Sequence, residues 1–318
     1  MNFRTIAQMN DHIVAGLGKV PRDVDLIVGI PRSGMLSATM LALHLNTALT
    51  DVDGLLADKL MQAGISREKS QRIRYISAAR KILVIDDSCF SGNQLRIVRE
   101  RIKASGIQTH VIYAAIYVAP EVKDCVDLYF DICPMPRMFE WNFMHHPGLQ
   151  QACLDIDGVL CSDPTNDEND DGDNYIKFLD EAKPFWIPTV PVGWLVTSRL
   201  EKYRAQTENW LYKYGVKYGG LIMLNMESAA ERRAAKCHGR FKGDVYRSKH
   251  AQIFIESDPL QSAEIAELAC KAVFCVADRQ VYLPSTKSSV SYIARNLTTH
   301  LPSIGWQILS AIRRRITI

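Results

Sequence analysis

The sequence predicts an α/β protein built from two doubly wound parallel-sheet domains. Three observations predict it: short apolar runs alternate with helical segments between residues 25 and 118, the rhythm breaks over residues 131–149, and the same alternation restarts at residue 152. A chain of 318 residues also exceeds the usual size of one domain. The expected division is 1–140 for the first domain, 150–285 for the second and 286–318 for a helical C-terminal tail.

Each element has its own warrant. "DLIVGI" (25–30) is a strand, and "MLSATMLALHLN" after it has helical spacing. "KILVIDD" is the next strand, followed by the helix "NQLRIVRERIKASG" with a glycine stop, then the strand "HVIYAAIYV". "DICPMPRMFEWNFMHHPGL" reads as a connection between domains, tied down by Phe139, Trp141 and Phe143. In the second half "ACLDID", "VGWLVTS", "AQIFIES" and "AVFCV" read as strands. "EKYRAQTENWLYKYG" and "SAEIAELAC" read as helices, the first ending at Gly215. The acidic run "DPTNDENDDGD" (163–173) falls in a loop.

Composition narrows the function classes. An apolar fraction of 47% lets each half bury a core, and a net charge of +3 is too small to argue for a nucleic-acid partner. The eight cysteines form no CxxC pair and no zinc spacing, and no apolar run approaches the length of a signal sequence core or membrane span. A cytoplasmic, reducing-compartment protein with free thiols is the expectation.

The stretch "KILVIDDSCFSGNQL" (81–95) carries the first constellation. Adjacent carboxylates repel and cost desolvation unless the strand end needs both. Backbone N–H groups of residues 88–92 and the positive end of the next helix suit a phosphate, with Ser91 donating a hydroxyl and Gly92 allowing close approach. Asp86 and Asp87 then face the group attached to that phosphate and accept hydrogen bonds from sugar hydroxyls. Phosphate and diol together describe ribose 5-phosphate. Acids that merely suit a helix N-terminus are the plain structural alternative.

This stretch resembles the signature of type I phosphoribosyltransferases: an apolar strand, two acids, then Ser/Thr-Gly. "VGIPRSG" (28–34) resembles that family's diphosphate loop, and the resemblance covers residues 1–135. It implies that phosphoribosyl diphosphate (PRPP) is bound by Arg32, Ser33, Gly34, Asp86, Asp87, Ser88, Ser91 and Gly92. The polar, basic segment 57–80 is placed as the family's catalytic loop. Arg67, Lys69, Arg72 and Arg74 are its candidate diphosphate clamps, often lent to a neighbouring subunit, which implies a homodimer. Phe90 and Asn93-Gln94 depart from the purine-salvage pattern, and the segment before the first strand leaves little room for a nucleobase hood.

"ACLDIDGVL" (152–160) carries the second constellation. Residues i and i+2 of a strand point the same way, so Asp155 and Asp157 converge where the chain turns at Gly158. The motif resembles the DxDG signature of the haloacid-dehalogenase superfamily of phosphohydrolases, over residues 150–280. The resemblance implies that Asp155 is the nucleophile and Asp157 the acid and base. Mg²⁺ would neutralise the carboxylates and the phosphate. Thr197-Ser198 stands as the second motif. Lys242 or Lys249 is the third-motif lysine, Lys242 being favoured because it opens the helix before the next strand. Glu256 and Asp258 are the loose fourth motif, so the metal set is Asp155, Asp157, Glu256 and Asp258. About forty residues separate the first two motifs, too few for a large cap, and an open site of this kind suits a bulky substrate.

Together the halves resemble two-domain proteins that install ribofuranose in bacterial surface polysaccharides. The resemblance implies phosphoribosyl transfer from PRPP to a lipid-linked glycan acceptor, then loss of the 5-phosphate to leave β-ribofuranose. Fusion raises the effective concentration of intermediate at the second site. Two other readings stay open: a nucleobase phosphoribosyltransferase with an attached nucleotide phosphatase, and a PRPP-sensing regulator. The tail "LPSIGWQILSAIRRRITI" carries an apolar set beside three arginines, which would allow peripheral membrane contact.

Overall fold

The computed structural model describes residues 1–61 and 73–285. Arg67, Lys69 and Arg72, and the whole tail 286–318, lie outside the described residues. The chain divides into two compact units, one spanning residues 2–141 and the other beginning at Asn142.

The first unit contains β1 (Asn2–Arg4), β2 (Leu26–Gly29), β3 (Ala48–Asp51), β4 (Lys81–Cys89), β5 (His110–Val118), β6 (Leu128–Ile132) and β7 (Arg137–Phe139). Its helices are α1 (Ile6–Gly16), α2 (Gly34–Leu45), α3 (Val52–Leu56) and α4 (Asn93–Ala104). Five strands form a parallel sheet in the order β3-β2-β4-β5-β6. Ile82 and Val84 point into one apolar layer while Leu83 and Ile85 point into the other, so β4 is buried on both faces. Helix α4 closes the first layer with Leu95, Val98 and Ile102, spaced three and four apart. Helix α1 begins at a capping box, in which Thr5 accepts the Gln8 N–H and the Gln8 side chain accepts the Thr5 N–H.

Two expectations need correction here. The strand that carries the acids does not end at them: β4 and β5 pair on through Ser88 and Cys89, opposite Tyr117 and Val118. Strand β2 stops at Gly29, level with Ile85, so Asp86 and Asp87 sit where β4 has lost one neighbour and kept the other. The segment read as an inter-domain connection also holds a strand, since β7 pairs in parallel with β1 and belongs to the first unit.

The second unit contains β8 (Ala152–Leu154), β9 (Val192–Leu200), β10 (Tyr218–Leu224), β11 (Ile253–Glu256), β12 (Val273–Cys275) and β13 (Gln280–Tyr282). Its helices are α5 (Asp173–Glu181), α6 (Arg204–Lys213), α7 (Ala229–Ala235), α8 (His238–Ser248) and α9 (Pro259–Ala269). The sheet order is β10-β9-β8-β11-β12-β13, parallel except for the last strand. β8 is therefore central, and its carboxyl end opens between β9 and β11, where a ligand meets a doubly wound sheet. Between the first two motifs the chain forms only a loop and α5. None of the eight cysteines is in a disulfide. Among the described residues no helix is long and apolar enough to cross a membrane.

Leu83 is fully buried, whereas Leu43 on α2 is 66% exposed. Leu83→Ala should therefore lower the first unit's stability by about 2–5 kcal/mol, and Leu43→Ala by less than about 0.5 kcal/mol. Urea denaturation of the two variants checks the difference.

Candidate functional site

In the first unit the two acids take different roles. Asp87 accepts a hydrogen bond from Ser33 Oγ at 2.9 Å through one oxygen and from the Trp141 indole N–H at 2.8 Å through the other. Trp141 is held in turn by stacking on Phe139, with centroids 4.7 Å apart, and Phe139 stacks on Tyr117. Asp86 accepts the Asp87 N–H at 2.9 Å. Burial, followed by the charge of Asp87, pushes its carboxyl up to about 8. Gly34 opens α2 directly against it, with Asp86 Oδ1 only 2.8 Å from where a Cβ would stand.

The expected phosphate turn begins two residues later than the sequence suggested. Ser88 belongs to the ladder, so the free turn is 90–92, where Ser91 Oγ accepts the Asn93 N–H at 3.4 Å. Gly92 caps α4 at φ +73°, in the left-handed region. Arg32 is exposed in the loop after β2, and Arg74 is exposed ahead of a 3₁₀ turn at Ile76–Ala78. The sequence reading missed Trp141 and Arg137; the latter lies against the Phe90 and Phe139 rings, with only about a twentieth of its surface exposed.

The second unit gathers its motifs around one cavity of about 350 Å³, lined by Asp155, Asp157, Thr197, Lys242, Glu256 and Asp258 among others. Asp155 follows β8, with one oxygen accepting the Ile156 N–H at 2.8 Å and the other 2.6 Å from Lys242 Nζ. Lys242 also reaches Glu256 at 2.8 Å and Gln261 at 2.9 Å. Burial works against this ammonium, but Asp155 and Glu256 outweigh it and hold the group above its ordinary range. Burial is the leading cause that pushes Asp155 up to about 8, with Lys242 opposing and Glu256 and Asp157 adding to it. Lys242 lies one turn inside α8, which starts at His238, and does not open the helix as expected. Lys249 caps the far end of α8 and lines a different hollow, with Gln151 and Trp194.

Asp157 is fixed by a residue that the reading missed. Arg199, fully buried, donates to both its oxygens, with the closest contact from Nη2 at 2.6 Å. Burial would lower the guanidinium's pKa, and Asp157 more than reverses that. Arg199 stands two residues after Thr197 on β9, so strand alternation could have found it. Thr197 Oγ1 accepts the Arg199 N–H at 3.2 Å. Gly158 turns the chain at φ +72°, and a Cβ there would stand 2.3 Å from Ser257 Oγ, so no other residue fits. The acidic run is built into the site: Asn169 receives Arg232 Nη2 at 3.1 Å, and Asp171 receives the Ala229 N–H at 2.9 Å. His238, half-buried in the same cavity, has its pKa lowered by burial and then by Arg232 and Lys242.

The fourth motif divides. Glu256 is fully buried and engaged by Lys242, the Ser257 N–H and the Asp258 N–H, so it serves the lysine. Asp258 caps α9 through Gln261 N–H at 2.8 Å and lines the cavity together with Asp163. Among the described residues no three His, Cys, Asp or Glu side chains stand close enough to hold an ion as they lie, since Lys242 and Arg199 occupy Asp155 and Asp157. The hard oxygen donors nevertheless suit Mg²⁺, and the carboxylates that raise Asp155 are ones a divalent cation would relieve.

No family model matches the chain, and no curated protein matches it. Solved structures are similar to part of it. A purine phosphoribosyltransferase from Pyrococcus horikoshii is 19% identical, with 44% of this chain and 92% of that one covered and a TM-score of 0.32. The xanthine-guanine-hypoxanthine phosphoribosyltransferase of Helicobacter pylori is 16% identical over 44% of this chain and 90% of its own, with a TM-score of 0.32. The orotate phosphoribosyltransferase of Aeropyrum pernix is 16% identical over 40% and 70%, with a TM-score of 0.28.

Two outcomes follow from the buried charges. An aspartate whose folded pKa is raised to about 8 makes the folded state bind more protons than the unfolded one between about 4 and 8, so its contribution to stability falls as pH rises through that window. Asp86→Asn should melt above wild type at the alkaline end, with the advantage vanishing toward the acidic end. Calorimetry at both ends checks it, and equal melting throughout would refute the buried charge. Arg199→Gln should cost the second unit about 3–5 kcal/mol because it strands Asp157. Adding Asp157→Asn should return part of that loss in a denaturation double-mutant cycle, whereas strict additivity would show that the pair carries no coupling.

Proposed function

We propose that the chain is a bifunctional ribofuranosyl-transfer enzyme: the first unit moves a 5-phosphoribosyl group from PRPP to a hydroxyl of a glycan acceptor, and the second removes the 5-phosphate. The observation that carries the reading is the presence, in one chain, of two unlike carboxylate pairs on parallel sheets, one just past the level where β2 stops beside β4 and one just after the end of β8. One stands beside a Ser-Gly turn, and the other is locked to a buried lysine and a buried arginine.

In the first reaction Asp86 and Asp87 accept hydrogen bonds from the ribose hydroxyls. Ser91 and the turn at 90–92 take the 5-phosphate, and the loop at Arg32, Ser33 and Gly34 takes the diphosphate. The C1–O bond to diphosphate breaks, the acceptor oxygen bonds to C1 from the other face and passes its proton to the departing diphosphate, and the α-donor gives a β-linkage. Ser33 and Trp141 keep Asp87 in one orientation, which is the positional help that a loose transition state can use.

In the second reaction an Asp155 oxygen attacks phosphorus, and the sugar oxygen departs with a proton from Asp157. Water then gives a proton back to Asp157, attacks the aspartyl phosphate and releases phosphate. Arg199 must yield one Asp157 oxygen for that proton to move. Lys242 anchors Asp155, and the Thr197 hydroxyl faces the transferred group. Asp155, Asp157 and Asp258 would hold Mg²⁺, which when bound would neutralise charge on the phosphoryl group. A lipid-linked acceptor, a membrane contact through residues 286–318 and a homodimer that shares diphosphate clamps complete the reading.

Asp155→Asn protein with PRPP and Mg²⁺, offered glycan and nucleobase panels, should accumulate a phosphoribosyl-glycan that wild type converts to the ribosyl-glycan. Mass spectrometry of the products decides. A nucleotide product would overturn the glycan reading, and PRPP binding without diphosphate release from any acceptor would leave a sensor.

A further inference from the structure

Arg137 opens β7 and is 5% exposed, yet it has almost no partner. Of its five N–H donors, the hydrogen bond seen is a long one, Nη1 to the Cys133 carbonyl at 3.5 Å. No carboxylate among the described residues lies within ion-pair distance. The charged and titratable groups that face it are Cys133, Asp87 and Cys89, and both Asp87 oxygens are already taken by Ser33 and Trp141. Its guanidinium carbon lies 5.3 Å from the Phe139 ring centre and 5.8 Å from that of Phe90, which is 58% exposed. Stacking on rings offsets only part of the desolvation of a guanidinium, and burial lowers this one's affinity for its proton. Arg199 shows the contrast: it is fully buried and matched by both Asp157 oxygens, whereas Arg137 keeps a narrow opening to solvent and no carboxylate partner among the described residues.

A protein that holds an unmatched guanidinium beside its sugar-binding carboxylates keeps a place for an anion. We propose that Arg137 is the acceptor anchor of the first unit and that the acceptor carries a carboxylate, as an acidic sugar does. The inference rests on the phosphoribosyl-transfer reading of Asp86 and Asp87. The donor's own anions have other seats, the 5-phosphate at the turn 90–92 and the diphosphate at the loop 32–34. The remaining reactant at Asp87 is the acceptor. A planar carboxylate can meet the guanidinium edge with two parallel hydrogen bonds, with the exposed Phe90 ring beside it. A neutral sugar would leave the cation as unmatched as it is now. Arg137 is thus a specificity-determining residue, and Phe90, which departs from the purine-salvage pattern, is its cover.

The test uses the full chain with PRPP and Mg²⁺ and two matched pairs of probes, methyl glucuronide against methyl glucoside and orotate against uracil. Binding is read by saturation-transfer NMR. Wild type should favour the charged member of at least one pair by about ten-fold or more. Arg137→Met should erase that preference, leave PRPP affinity unchanged and melt no lower than wild type, since an unmatched buried charge has been replaced by an apolar chain of similar length. Arg137→Lys should recover part of the preference. No preference in wild type, or one that survives Arg137→Met, overturns the proposal. So does loss of PRPP binding in Arg137→Met, which would assign the residue to the donor. A preference confined to orotate keeps Arg137 as the anchor and sinks the glycan reading instead. Failure of wild type to bind PRPP sinks the transfer reading, and the carboxylate preference is then scored on the free protein.

Discussion

Lys242 lies wholly out of water, with its ammonium 2.6 Å from Asp155 and 2.8 Å from Glu256. Much of the second unit's arrangement follows from that one buried cation. An ammonium can be taken from water only where carboxylates and neutral acceptors satisfy its three donors, and here Asp155, Glu256 and Gln261 do so from three different elements. β8, β11 and α9 are thereby registered to α8 at their ends, where the hydrophobic layers beneath cannot set positions to a fraction of an ångström. Arg199 and Asp157 repeat the arrangement one strand away. Each acid of the DxDG turn thus has its own cation, so the like charges of Asp155 and Asp157 are separated by pairing.

The first unit treats its acid pair differently. Among the described residues no cation pairs with Asp86 or Asp87. Neutral donors hold Asp87, and Asp86 is left to desolvation, which keeps a proton on it well into the neutral range. A carboxyl in that state can donate as well as accept a hydrogen bond, which suits a ligand whose hydroxyls do both. Among the described residues Arg137 feels the charge of Asp87 without forming an ion pair with it. The two units therefore keep opposite kinds of imbalance, an excess of carboxylate in one cavity and a lone cation beside the other carboxylate pair.

Much of this was legible in the chain. The strands that carry the acids, β4 and β8, announce themselves because a parallel strand buried on both faces is an unbroken apolar run. The motif residues are local, and their spacing carries their meaning. What escaped the reading is set by distance along the chain. β1 and β7 are three residues each, too short for any period to show, and they find each other across more than a hundred residues. β10 hides behind two glycines and a half-buried face. Trp141 reaches Asp87 from the segment that proline content marked as a connection, and Arg232 reaches Asn169 from α7. The bond from Lys242 to Glu256 joins α8 to β11 across fourteen residues, and no local spacing in the chain announces it.

The pairing of Asn2–Arg4 with Arg137–Phe139 has a temporal side. On a ribosome the first strand leaves the exit tunnel long before its partner has been synthesised, and until then the first unit can form its five-stranded sheet but cannot close. Closure waits on the residues that also deliver Arg137 and, two residues after β7, Trp141. These two residues thus arrive last, so a chain interrupted before residue 137 would carry the turn at 90–92 and both acids without Arg137 and without the indole that orients Asp87. Until then Asp87 lacks the donor that fixes one of its two oxygens.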